Sequence, residues 1–127
     1  MSFYTDQLTK LTEQLYANAD QTARVVRARR FIDTHFAEPL TLVDIAAAAC
    51  CSPYHFSREF KRHYGLTPLH YLTDKRMAEA RRLLNANRPV AEVCGAVGYE
   101  SLGTFSTLVK KRMGQSPGTL KRARMKK

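Results

Sequence analysis

The chain has 127 residues, 44% of them hydrophobic and none of them tryptophan, a size that suits one compact domain plus a short extension and excludes most multi-domain enzymes. Lys and Arg number 21 against 11 Asp and Glu, a formal charge of +10, which favours a polyanionic partner, nucleic acid first and an anionic membrane surface second. Cys50, Cys51 and Cys94 are an odd set with no paired CxxC, which argues against a disulfide framework or a structural zinc and fits a reducing cytosol.

The N-terminus has no basic start followed by an apolar run, and the longest apolar stretch, residues 45–51, is far short of the roughly 20 residues that cross a bilayer. No targeting or spanning segment is visible, so no membrane partner is expected. Charge is uneven. Residues 1–22 hold Lys10 against Asp6, Glu13 and Asp20, net −2, whereas the remaining residues hold 20 basic and 8 acidic side chains, net +12. The expected organisation is an acidic amphipathic leader over residues 1–21, a basic domain over 22–124 and a basic, disordered tail over 125–127. In the leader, Tyr4, Leu8, Leu11 and Leu15 form an apolar stripe of seven-residue character, expected to fold back on the domain, with a weak dimer or partner-binding contact as the second reading.

Cap and turn signals divide residues 20–124 into seven short helices with no competing strand pattern, so the predicted class is all-α. Asp20 is read as the cap of a first helix through Phe36, with Val25, Ile32 and Phe36 on one face and Arg24, Arg27 and Arg30 largely on another. Thr41 and Asp44 resemble a capping box before an Ala-rich helix from Leu42 to about Cys50. Ser52 and Pro53 start a third helix that Gly65 stops, and Thr67 and Pro68 start the longest, to about Asn85, with Leu72, Met77, Ala80, Leu83 and Leu84 as its apolar positions. Pro89 opens a fifth that Gly98 stops, Ser101 caps a sixth to Met113, and Ser116 with Pro117 begins a seventh.

Two segments repeat. LTLVDIAAAACCSPYHFSREFKRHYGLTP (residues 40–68) and PVAEVCGAVGYESLGTFSTLVKKRMGQSP (residues 89–117) share a short small-residue helix, a turn, a capped helix and a Gly-x-[Ser/Thr]-Pro end. Phe56 matches Phe105, Ser57 matches Ser106, Lys61 matches Lys110 and Gly65 matches Gly114 at an offset of 49; upstream, Asp44 matches Glu92 at 48, so the second turn is one residue longer. Duplicated helix pairs in a basic chain suggest two helix-turn-helix units, each bracing one helix and inserting the next into a DNA major groove.

With SPYHFSREFKRHYGLTP and GYESLGTFSTLVKKRMGQSP on view, the chain resembles the DNA-binding domain of the AraC/XylS family of bacterial transcription regulators over residues 25–124. The resemblance implies a seven-helix domain, two helix-turn-helix units joined by the long helix over residues 68–85, and successive major grooves of promoter DNA as target. Many members carry a separate effector domain for which 127 residues leave no room, so the chain resembles the stand-alone members; an excised domain is the other possibility. An activator acting with RNA polymerase in the bacterial cytoplasm, on the nucleoid, is expected. No cofactor is expected. Val109 and Leu120 stand where relatives often have aromatics, which predicts looser packing in the second unit.

On a helical wheel Phe56, Phe60 and His63 share one arc of the third helix, and Tyr54, Ser57, Arg58 and Lys61 the opposite one. Arg58 can pair bidentately with guanine, Tyr54 and Ser57 can meet base edges, and Lys61 and Arg62 are expected on phosphates. The positions also match the family's usual base contacts. In the sixth helix Phe105, Leu108 and Val109 form the core arc and Gly103, Ser106, Thr107 and Lys110 face out. Thr107 stands at the position of Arg58, and neither it nor Gly103 can grip guanine. Gly103, Thr104 and Thr107 are therefore expected to make at most small base contacts, with threonine methyls against thymine. Arg24, Ser106, Lys110, Lys111 and Arg112 are expected on phosphates. Sequence preference should be steeper in the first half-site.

The long helix measures about 27 Å at 1.5 Å per residue, against about 34 Å between adjacent major grooves on one face; bending of DNA or domain would close the difference. Because the two units differ, one monomer should read an asymmetric site. Cys50 sits where the second unit has Gly98, and a non-Gly residue forced to positive φ there would cost about 1 to 2 kcal/mol, so a slightly reshaped first turn is expected. The cysteine pair is otherwise read as core packing, and Cys94 as buried. The four histidines show no metal-ligand spacing, and no catalytic set stands out, so an enzyme is not expected. The alternative is a nonspecific architectural nucleic-acid-binding protein.

Overall fold

A computed structural model describes residues 3–120, and the expected tail over 125–127, with Lys121, Arg122 and Arg124, lies outside the described residues. The described chain is all helical: α1 Phe3–His35, α2 Leu42–Ala48, α3 Pro53–Tyr64, α4 Pro68–Asn85, α5 Val90–Ala96 and α6 Leu102–Met113, with residues 117–120 opening a seventh helix, α7. Two compact units form. One joins the residues up to Phe31 with Leu42–Pro68; the other joins Ile32–Thr41 with the residues from Leu69 onward.

The first helix begins at Phe3, not at Asp20. Residues 3–38 contain neither Gly nor Pro, so nothing interrupts a run of good helix formers, and Asp20 lies in the helix interior. There it pairs with Arg24 at 2.8 Å. The apolar stripe does not fold back either, because a continuous helix carries it away from any turn: Tyr4, Leu8, Leu11 and Leu15 are 71%, 48%, 58% and 68% exposed.

In the first unit Val25 and Ala28 of α1, Ile45 and Ala46 of α2, Ala49 of the turn, and Phe56 and Phe60 of α3 are buried. Small residues in α2 let its backbone approach α3, and the two helices pack together. The Phe56 and Phe60 rings meet edge to face at 5.7 Å, and Tyr64 continues the stack at 4.8 Å from Phe60. The Arg29 guanidinium lies 6.0 Å from the Tyr64 ring centre. His63, expected with the phenylalanines, is exposed, because two buried side chains four residues apart already span the strip that α2 and α1 cover. Cys50 itself takes the left-handed backbone, at φ 56, and the cysteine pair is not core: Cys50 is exposed and Cys51 half-buried, since both lie in the turn beyond the end of α2.

In the second unit Met77, Ala80 and Leu84 of α4, Val93 and Cys94 of α5, Val97 beyond its end, and Phe105 and Val109 of α6 form one core, with Leu83, Leu108, Met113 and Leu120 packed half-buried at its edge. Val109 is fully buried. The end of α1 belongs to this unit. There Phe36 is half-buried, and Tyr71 donates to Asp33 at 2.6 Å, with the Lys75 Nζ 3.6 Å away. Arg76 clips the following loop to α4, its Nε donating to the Phe36 carbonyl at 2.7 Å and a terminal nitrogen to that of Glu38 at 2.8 Å, while its guanidinium lies 5.2 Å from the Tyr99 ring centre.

Gly98, at φ 96, fits against this clip. A Cβ there would sit 3.0 Å from the Ala37 carbonyl oxygen and 3.1 Å from both Arg76 Nε and the Phe36 carbonyl oxygen. Gly98→Ala combines that crowding with a left-handed backbone and should lower unfolding free energy by about 2 to 4 kcal/mol in a urea titration; a wild-type midpoint would refute the clip. Burial pushes the Cys94 thiol above its ordinary pKa, and its Sγ donates to the Tyr99 carbonyl at 3.4 Å. At neutral pH it stays protonated. Alkylation should therefore modify Cys50 first, Cys51 more slowly and Cys94 only on unfolding, an order that peptide mapping reads directly.

Candidate nucleic-acid interface

Each helix-turn-helix unit is built by the same local chemistry. In the first, Ser52 has extended backbone and Pro53 follows at the first helical position, so a fixed φ starts α3 where an amide would lack a partner anyway. The Ser52 carbonyl accepts from Phe56 at 2.9 Å, but its hydroxyl makes no capping bond. Gly65, at φ 81, ends α3 by donating to the Lys61 carbonyl at 2.7 Å. In the second, the Ser101 hydroxyl accepts from the Thr104 amide at 3.2 Å, and Gly114 at φ 80 closes α6 on Lys110 at 2.9 Å.

On α3 the buried pair Phe56 and Phe60 turns the opposite side outward. Tyr54 is 75% exposed, and the Arg58 guanidinium lies 5.7 Å from its ring centre, so these two residues, four apart, form one exposed cation-aromatic pair. Ser57 is half-buried on this side, while Lys61 and Arg62 are exposed near the C-terminal end. No acid lies in the first turn of α3, and its last turn holds Lys61, Arg62 and His63. The structure thus brings together Tyr54, Ser57, Arg58 and Lys61.

On α6 the residues Gly103, Thr104, Thr107, Leu108 and Lys111 line one shallow trough. Leu108 enters this surface although its spacing suggests core, because it sits at the margin of the strip that α5 covers and is only half-buried. Leu102, at the start of the helix, is 48% exposed; neither leucine was among the expected contact residues, and only their exposure reveals them. Ser106 is half-buried, and Lys110 and Lys111 are exposed. Two expected phosphate ligands are already paired: Arg112 is ion-paired with Asp74 of α4, and Arg24 with Asp20. Both pairs are partly exposed and exchangeable, so these cations are less available than Lys110 and Lys111.

Two basic helices, each capped, braced by a short helix and exposing one polar face, constitute a pair of helix-turn-helix modules. Residues 45–123 match the family described as "Helix-turn-helix domain". Among curated proteins the chain is 36% identical over 88 residues to the bifunctional transcriptional activator and DNA repair enzyme AdaA of Bacillus subtilis, covering 68% of this chain and 42% of that protein. It is 31% identical over 113 residues to the arabinose operon regulatory protein of Escherichia coli, covering 87% and 38%. Among solved structures, the C-terminal domain of AraT, a response regulator from Geobacillus stearothermophilus, matches with TM-score 0.75 and 39% identity over 79% of this chain and 84% of that one. The DNA-binding domain of AdpA, a global transcriptional factor in complex with a target DNA, matches with TM-score 0.74 and 28% identity over 78% and 90%. The chain belongs to the AraC/XylS family of helix-turn-helix transcription regulators. It spans about two fifths of the length of these curated relatives. Among the described residues no helix is long and apolar enough to cross a membrane.

Gly103 is helical, and a Cβ added there would meet only Ser101 Oγ, at an ordinary 3.7 Å. Glycine at this place therefore weakens the helix without serving the packing of the chain. Gly103→Ala should raise stability by about 0.5 to 1 kcal/mol, measurable as an upward shift of the urea midpoint.

Proposed function

We propose that the chain is a sequence-specific DNA-binding transcription regulator that reads an asymmetric promoter site as a single copy, α3 entering one major groove and α6 the next. The observation that carries the reading is the outward face of α3, where Arg58 and Tyr54 stand paired and exposed while no carboxylate pairs with Lys61 or Arg62 among the described residues. A guanidinium presented this way offers two parallel donors to guanine O6 and N7. The face of α6 lacks such a group. Gly103, Thr104 and Thr107 can approach thymine methyls or sugar closely, and Lys110 and Lys111, with Arg112 once released from Asp74, act on phosphates. Arg24, Lys61, Arg62 and Ser106 complete the backbone contacts.

Activation, with RNA polymerase as second partner, is part of the same reading and is supported by relatives whose names describe transcriptional activators. The bacterial nucleoid is where such a protein acts. The domain division, a leader over residues 1–21 preceding the DNA-binding part, follows the change of charge near residue 22.

Selection of bound sites from a random DNA pool at fixed salt tests the proposal. One asymmetric motif with more information in the half contacted by α3 is expected; equal affinity for all sequences would instead support an architectural protein. Against the selected site, Arg58→Ala should cost about 1 to 3 kcal/mol and relax one base position, whereas Lys110→Ala should weaken all sites alike and reduce the salt slope by about 1.

A further inference from the structure

Every residue from 4 to 20 is exposed, although α1 is 33 residues long, beyond the range of most helices that pack within a globular domain. The leader repeats every seven residues: Thr5-Asp6-Gln7-Leu8, then Thr12-Glu13-Gln14-Leu15, then Ala19-Asp20-Gln21-Thr22. With Leu8 and Leu15 at position a of a heptad, Tyr4 and Leu11 fall at d. The flanking g positions are then Gln7, Gln14 and Gln21, the flanking e positions are Thr5, Thr12 and Ala19, and the acids Asp6, Glu13 and Asp20 all fall at f, farthest from the seam. The Thr12 hydroxyl bonds to the Leu8 carbonyl of its own helix at 2.9 Å. Asp20 is likewise turned to Arg24.

We infer that this seam is an interface with a second copy of the chain, a two-stranded coiled coil centred on Tyr4, Leu8, Leu11 and Leu15. A strict seven-residue repeat keeps one apolar face toward one partner helix if the pair supercoils. The second copy is the occupant the charge pattern selects. Both flanks of the seam are uncharged, so identical helices meet without like-charge repulsion, and a helix with charged flanks would find no opposite charge to pair with. An anionic lipid surface is disfavoured, since the leader holds three carboxylates and a single cation, Lys10. Beyond Leu15 the seam positions are Asn18 and Thr22, so the apolar contact ends there. With only four large side chains per copy the association is weak, in a range of about 10 µM to 1 mM. Two chains on neighbouring DNA sites would experience a high effective concentration and bind cooperatively. The dimer does not rest on the DNA-binding reading; only this cooperativity does.

Sedimentation equilibrium of the full chain without DNA tests it. The expected result is an average mass that climbs from one chain toward two over about 10 µM to 1 mM. Leu11→Lys, which places a cation in the seam from each copy, should weaken association about a hundredfold, while Ala17→Lys, the same charge on the outward side, should leave it unchanged. Circular dichroism of both variants should match the parent, since neither residue is buried. A mass of one chain at every concentration overturns the inference, as does equal weakening by the two lysines or dimerisation of Leu11→Lys at parental strength. Dimerisation with no preference for any DNA sequence would leave the coiled coil standing and remove the DNA-reading proposal alone.

Discussion

On each of α3 and α6 only two side chains, four residues apart, are buried, and the rest of the site depends on that. Phe56 and Phe60 anchor α3, and Phe105 and Val109 anchor α6. A pair at this spacing fixes the rotation of a helix about its own axis, so everything a helix can offer to a partner follows from which two positions are buried. That is why Tyr54 and Arg58 project together, and why Gly103, Thr104 and Thr107 share one trough. The short Ala- and Val-rich helices behind them contribute little chemistry of their own. They act as small-volume braces that let two backbones approach.

The two units use one architecture for different chemistry. The first unit carries rings and a guanidinium on its exposed face and a stack of aromatics beneath it. The second has largely aliphatic packing beneath, with the Tyr99 and Phe105 rings 5.7 Å apart, and a face of glycine and threonine bordered by Leu108 and Lys111 above. Their turns differ as well. Cys50 accepts a left-handed backbone that the first turn tolerates, whereas at Gly98 the carbonyls of Phe36 and Ala37 and the Arg76 side chain close over the position. Arg76 thus serves the fold, tying the loop after α1 to α4, and is unavailable to a phosphate.

Much of this was legible along the chain. The Ser-Pro and Thr-Pro starts and the Gly65 and Gly114 stops mark α3, α4 and α6 because each acts within its own helical turn, and the duplicated order of features marks the two units. The outward faces of α3 and α6 followed from the spacing of their buried pairs, Phe56 with Phe60 and Phe105 with Val109. Where the reading went astray, a local rule met a longer-range fact. Asp20 has the chemistry of a cap, but caps operate only where a helix is otherwise interrupted, and none of residues 3–38 interrupts it. His63 and Leu108 have core spacing but lie at the edge of what the neighbouring helix covers.

Sequence by itself determined the helical class, the ends of the interior helices, the duplication and the excess of positive charge, because each of these is set within a few residues or by simple counting. Tertiary structure alone decided which cations are already held by carboxylates, as Arg112 is by Asp74 from 38 positions away, that Cys50 and Cys51 lie outside the core, and that the leader stripe stays bare. Those outcomes depend on atoms distant along the chain arriving at the same place, and no periodicity or cap records such a meeting.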